Sequence, residues 1–207
     1  MATPESQSIP GVPSRVDGLI PAPYVGISFL QSWIFMLFYA RSAGIEAVAP
    51  FSLMGNPYML SAVAMVLTIL VIAFWPSNLG NYLMTLTMKI IVPILLALGT
   101  AVMIVSELLA CLWALYLGSI ITGIFSGIMS QQWIIAYRRV GLRTLICSFP
   151  LLITVAIAVC VTIMYLPAPI VMGATVILPC ISGFMLHAAR KNLYPLTDID
   201  TGPKDRP

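Results

Sequence analysis

Charge is what this chain lacks most. Only 8% of its 207 residues are Asp, Glu, Lys or Arg, against about 25% in an ordinary soluble domain. No charged residue occurs between Arg143 and Arg190, and between Lys89 and Arg138 Glu107 stands alone. Water cannot solvate a surface built from so few charges, because a globular chain leaves most of its polar residues outside its core. A soluble fold is therefore excluded. Paired cysteines are missing too: Cys111, Cys147, Cys160 and Cys180 fall singly in apolar segments, without the close spacing of zinc or redox motifs.

Other absences bear on chemistry. The chain has one histidine, His187, and no glycine-rich phosphate loop, no His/Cys/Asp/Glu cluster and no nucleophile beside a base at readable spacing. The expectation is a protein that is not an enzyme and has neither metal site nor cofactor. The formal net charge of +3 arises from basic residues dispersed at segment ends. They do not form the patch that would make this chain bind nucleic acid.

What is present is apolar length. Hydrophobic residues make up 60% of the chain and the mean hydropathy is +1.01. A helix needs about 20 mostly apolar residues to cross a hydrocarbon layer about 30 Å thick. Each of the two charge-poor intervals is long enough for two spans. The sequence thus reads as an all-α integral membrane fold, a six-transmembrane-helix bundle. Its expected spans are Tyr24 to Ala40, Tyr58 to Trp75, Met88 to Val105, Leu112 to Tyr137, Leu145 to Leu166 and Ile170 to Ala188. Prolines punctuate the borders at Pro23, Pro57 and Pro76, and Leu166-Pro167-Ala168-Pro169 allows only a tight hairpin. Lys89 is expected at the start of the third span, its stem carrying the ammonium to the interface.

Residues 1–22 hold Pro4, Pro10, Pro13 and Pro21 and little apolar surface, so they read as a disordered cytoplasmic tail. Residues 23–189 form the transmembrane domain, and 190–207 a cytoplasmic tail or linker. With the N-terminus inside, nine of the ten Lys and Arg residues lie on the inner side and only Arg41 lies outside. The positive-inside rule then places both termini in the cytoplasm of a bacterial inner membrane. Arg138, Arg139 and Arg143, with Arg190 and Lys191, serve as topology anchors or as contacts to anionic lipid headgroups.

Two patterns within the spans are informative. Ser119, Gly123 and Gly127 recur every four residues. Such a row of small residues lets a neighbouring backbone approach closely, so this span is expected to be the packing centre. Polar residues lie beside tryptophan twice, as Gln31-Ser32-Trp33 and as Gln131-Gln132-Trp133. Gln31, Trp33, Gln131 and Trp133 are candidates for a cavity holding a small organic ligand, the amide giving hydrogen bonds and the indole stacking. The competing reading of Gln131 and Gln132 is that they lie near the inner interface, where water satisfies them. Glu46, Glu107 and His187 read as loop or interface residues.

The run from Gly118 through Gly123 and Gly127 to Trp133, Tyr137, Arg139, Gly141 and Arg143 is distinctive. It is followed by a span ending in Leu166-Pro167 and by a last span with Leu178-Pro179 and a basic exit at Arg190-Lys191. Together with Trp33 and the stretch Phe35 to Tyr39, these residues resemble the six-helix N-terminal half of the membrane sensor region in LuxR-type regulators of anaerobic gut actinobacteria. The resemblance covers Tyr24 to Arg190. It implies half of a major-facilitator-type fold of twelve helices, with a helix-turn-helix DNA-binding domain following in that family. This chain carries six helices and no DNA-binding module. The implied role is a non-enzymatic sensory or ligand-binding half-unit that pairs with a second six-helix half or forms a homo-oligomer. The alternative is a small six-helix substrate-binding component of a transporter.

Overall fold

The computed structural model describes residues 22–39, 57–74, 82–83, 85–138 and 142–191, and every regular element among them is helical. A 3-10 turn, Ala22–Val25, leads into α1 (Gly26–Tyr39). Then follow α2 (Pro57–Phe74), α3 (Leu86–Leu108), α4 (Leu112–Arg138), α5 (Leu142–Met164) and α6 (Ala168–Lys191). The two tails, the segment with Arg41 and Glu46, and Arg139 lie outside the described residues.

Five of these helices, α2 to α6, are long and apolar enough to cross a bilayer, which supports a multi-pass membrane protein. The remaining apolar stretch, Ala22–Leu37, is shorter. The helices also present large apolar side chains at the surface. Val63, Val66, Leu67, Leu70 and Val71 of α2 are all exposed, as are Ile157 and Val161 of α5 and Ile177 and Phe184 of α6. In water such apolar surface would drive aggregation. Against lipid tails it costs nothing.

The helix ends follow local chemistry. Thr85 has extended backbone and its hydroxyl accepts from the Met88 N–H at 3.5 Å, capping α3. At the other end Cys111 N–H bonds Ser106 O at 2.9 Å and Ala110 N–H bonds Glu107 O at 3.2 Å, the paired pattern of a Schellman stop. Ala110 takes the left-handed position there, with φ 53°, and the chain reverses at once into α4. The α5–α6 hairpin is equally tight, with Leu166 N–H on Ile163 O at 2.9 Å and Val171 N–H on Pro167 O at 3.1 Å. Arg143, expected in the preceding loop, falls in the first turn of α5 instead, because α5 begins at Leu142.

Helix packing follows a simple rule. The principal neighbours are α2 with α4, α4 with α3, α3 with α6, α6 with α1, and α1 with α5. Advancing every helix by three, so that 1 exchanges with 4, 2 with 5 and 3 with 6, returns the same five pairs. The first three helices and the last three therefore play equivalent parts, and neighbouring positions are filled from opposite halves.

Interfaces are made by small residues and hydroxyls, since apolar burial alone does not draw helices together in lipid. On α1, Ser28 and Ser32 donate to Leu152 O and Ala156 O of α5, each at 2.8 Å. Gly183 of α6 sits against the ring of Pro93, where a Cβ would come within 2.7 Å of the proline Cβ. That notch receives the mid-helix proline of α3.

Candidate functional site

The two tryptophans named above occupy corresponding places in the bundle. Trp33 on α1 is 2% exposed and donates its indole N–H to Thr100 Oγ1 of α3 at 3.1 Å. Trp133 on α4 is fully buried and donates to Ser182 Oγ of α6 at 3.0 Å. Exchanging helices 1 with 4 and 3 with 6 maps one indole–hydroxyl pair onto the other. Both rings belong to one apolar core with Leu30, Met36, Leu96, Met129 and Leu186. Each indole N–H thus has its partner within the protein, and each tryptophan holds helices together.

Gln31 and Gln131 lie on the other sides of their helices. Residues two apart on a helix are separated by about 200°, so each glutamine faces away from its buried tryptophan, and each is half-buried. They also sit at similar depth. Tyr137 donates its hydroxyl to Tyr24 O at 2.6 Å and the two rings lie 5.4 Å apart, which pins the α1 entrance level with the end of α4. Counting back, Gln31 and Gln131 are about 10 Å and 9 Å along their helices from that level. The structure therefore separates the four candidates into two core rings and two half-buried amides at matched depth.

At the same end, Trp133 stacks obliquely on Tyr137 with ring centroids 5.9 Å apart. A Cβ on Gly26 would lie 2.6 Å from the Trp133 ring and 2.5 Å from Met185 Cβ. The aromatic seal of Tyr24, Trp133 and Tyr137 is not legible in the sequence, because Tyr24 lies more than 100 residues from the other two. Ser32 stands out in the sequence only as a polar neighbour of Trp33, and Ser28 not at all, although their four-residue spacing is the same signal that marks α4.

The small-residue row on α4 faces α2. A Cβ on Gly123 would run into the carbonyl of Ser61 and lie 2.6 Å from Ala64 Cβ. One on Gly127 would lie 3.0 Å from both Met65 O and Thr68 Cβ. Ser119 is fully buried and returns its hydroxyl to Leu115 O at 2.8 Å. Thr122, on the adjoining row, lies 3.2 Å from Ser61 Oγ and 3.3 Å from Met103 Sδ, so it touches α2 and α3 together.

Two polar positions depart from expectation. Gln132 is not at a wet interface: it is fully buried and its Nε2 donates to Leu83 O at 2.8 Å. Lys89 is not at the surface: it is 3% exposed. The physical reason is rotation, because Lys89 shares the α3 face of Val92, Leu96, Gly99 and Met103, which packs on α4. Glu107, at the opposite end of α3, accepts from the Tyr58 hydroxyl at 3.3 Å and ties α2 to α3.

Arg138, Arg143, Arg190 and Lys191 all fall in first or last helical turns; their side chains lie outside the described set. Among the described residues no three of His, Cys, Asp and Glu gather closely enough to hold a metal ion. Comparison with protein-family models finds no match, and comparisons with curated proteins and with solved structures find no significant similarity.

Proposed function

We propose that the chain is a non-enzymatic transmembrane half-unit of the bacterial inner membrane, with all six helices crossing and both termini cytoplasmic. Its role is to sense or bind a small organic ligand, in the manner of the membrane region of LuxR-type regulators, and it binds no nucleic acid itself. The observation that carries this reading is the exchange rule of helix contacts. A six-helix unit whose halves are interchangeable, with antiparallel counterparts, is how each half of a major-facilitator-type bundle is built from inverted repeats. Such a half lines a cavity only when a second half faces it. Gln31 and Gln131, at matched depth and turned from their buried tryptophans, are the groups we assign to ligand contact.

The partner is a second six-helix half or another copy of this chain. Native mass spectrometry from lipid nanodiscs tests the pairing: a complex of two six-helix units is expected, and a strictly monomeric species over all concentrations would reject it. The reading as a substrate-binding component of a transporter is favoured instead if the purified complex contains a pair of ATPase subunits. Ligand contact is tested by Gln31→Leu and Gln131→Leu, which should weaken binding of any captured organic ligand while leaving the melting temperature near wild type.

A further inference from the structure

The apolar span of α6, Ala168–Ala189, holds no charged residue and one histidine, His187. A polar ring inside a span usually turns toward other helices, where it finds a partner. His187 does the opposite: it is exposed, and it has no hydrogen bond or ion pair among the described residues. It continues a stripe. Ile177, Ile181, Phe184 and His187 follow one another at spacings of three or four and are all exposed, Phe184 by 73%, so they share one helix face. Leu178, Ser182 and Leu186 bury the opposite face.

Depth and charge say what meets this stripe. From Ala168 to His187 the helix rises about 28 Å, close to the hydrocarbon thickness of about 30 Å. An α6 that enters the hydrocarbon at Ala168 therefore brings His187 to the far boundary, where lipid phosphates begin. Met185 would touch a Cβ on Gly26, which sets this end of α6 beside the start of α1. Arg190 and Lys191 follow within one turn, with Lys191 four residues beyond His187. The one carboxylate among the described residues, Glu107, lies at the opposite end of the bundle, where it accepts from Tyr58. The basic exit of α6 thus meets no negative charge among the described residues. An imidazole has an N–H to donate in either protonation state.

We propose that the exposed stripe of α6 binds one anionic phospholipid, whose phosphate accepts from His187 and whose acyl chain lies along Phe184, Ile181 and Ile177. One amphiphile then covers the apolar stripe and satisfies the ring at its end. The site is separate from Gln31 and Gln131 and does not depend on the pairing of half-units.

His187 is the only histidine in the chain, so solid-state NMR of untagged protein labelled with nitrogen-15 histidine reports on this ring alone. The bilayers are phosphatidylcholine with a minor share of phosphatidylglycerol, in phosphate-free buffer. The imidazole nitrogen should dephase strongly when recoupled to lipid phosphorus, and native mass spectrometry should retain phosphatidylglycerol in preference to phosphatidylcholine. His187→Leu should lower that retention about fivefold, the scale of one lost hydrogen bond. An imidazole without phosphorus dephasing has water or another part of the chain as its partner, and the proposal fails. Equal retention of the two lipids overturns it as well. The wild-type measurements decide this even where His187→Leu does not fold.

Discussion

Placing a methyl group on Gly123 is the sharpest perturbation the bundle offers. In Gly123→Ala the new Cβ would collide with the Ser61 carbonyl and lie 2.6 Å from Ala64 Cβ. The obstruction is largely backbone, so no side-chain rotation relieves it. α2 must move outward, and among the described residues α4 is its principal neighbour. Overpacking of this kind costs about 1–3 kcal/mol, offset by about 1 kcal/mol from the better helix propensity of alanine. Gly127→Ala is milder, with its nearest contacts at 3.0 Å, and Gly173→Ala meets nothing within 4 Å. The Gly173 variant should therefore keep the propensity gain and serve as the control. Equilibrium unfolding in mixed micelles should rank stability as Gly173→Ala above wild type, then Gly127→Ala, then Gly123→Ala. Equal stability of Gly123→Ala and Gly173→Ala would show that α2 is not seated on this row.

Ala110→Gly should stabilise the protein by about 1 kcal/mol, because alanine at φ 53° bears a left-handed penalty that glycine does not; the same unfolding titration reads it. Tyr137→Phe leaves the buried Tyr24 carbonyl without its 2.6 Å donor and should cost about 1–3 kcal/mol. Hydrogen exchange should then rise first at the α1 entrance, and unchanged exchange there would contradict the aromatic seal.

Much of this architecture is legible in the sequence, and the reason is dielectric. A charge inside lipid is expensive, so the empty intervals on either side of Arg138 to Arg143 mark α3 to α6 without any knowledge of packing. The small-residue row on α4 is legible for a similar reason, since four-residue spacing defines a face. Its partner is not, because nothing in Ser119, Gly123 and Gly127 says that Ser61 and Ala64 will meet them. Lys89 shows the same limit. Its position near a span border suggests snorkelling, whereas its burial depends on which way α3 turns toward α4. The tryptophans stand out by their polar neighbours, but only tertiary structure reveals that Thr100 and Ser182 satisfy the indoles. The exchange of the two three-helix sets shows in the sequence only as the paired triplets Gln31-Ser32-Trp33 and Gln131-Gln132-Trp133, because it is a relation between contacts.

The most direct measurement is sidedness by cysteine labelling. Single cysteines at Ser6, Gly141, Ala168 and Thr201, in a background lacking the four native cysteines, are exposed to an impermeant thiol reagent on intact cells and on inverted vesicles. A bundle that crosses the membrane six times with both ends inside labels only Ala168 on intact cells, and labels Ser6, Gly141 and Thr201 only on inverted vesicles. Labelling of Gly141 from outside, or of Ser6 and Thr201 from opposite sides, would contradict it.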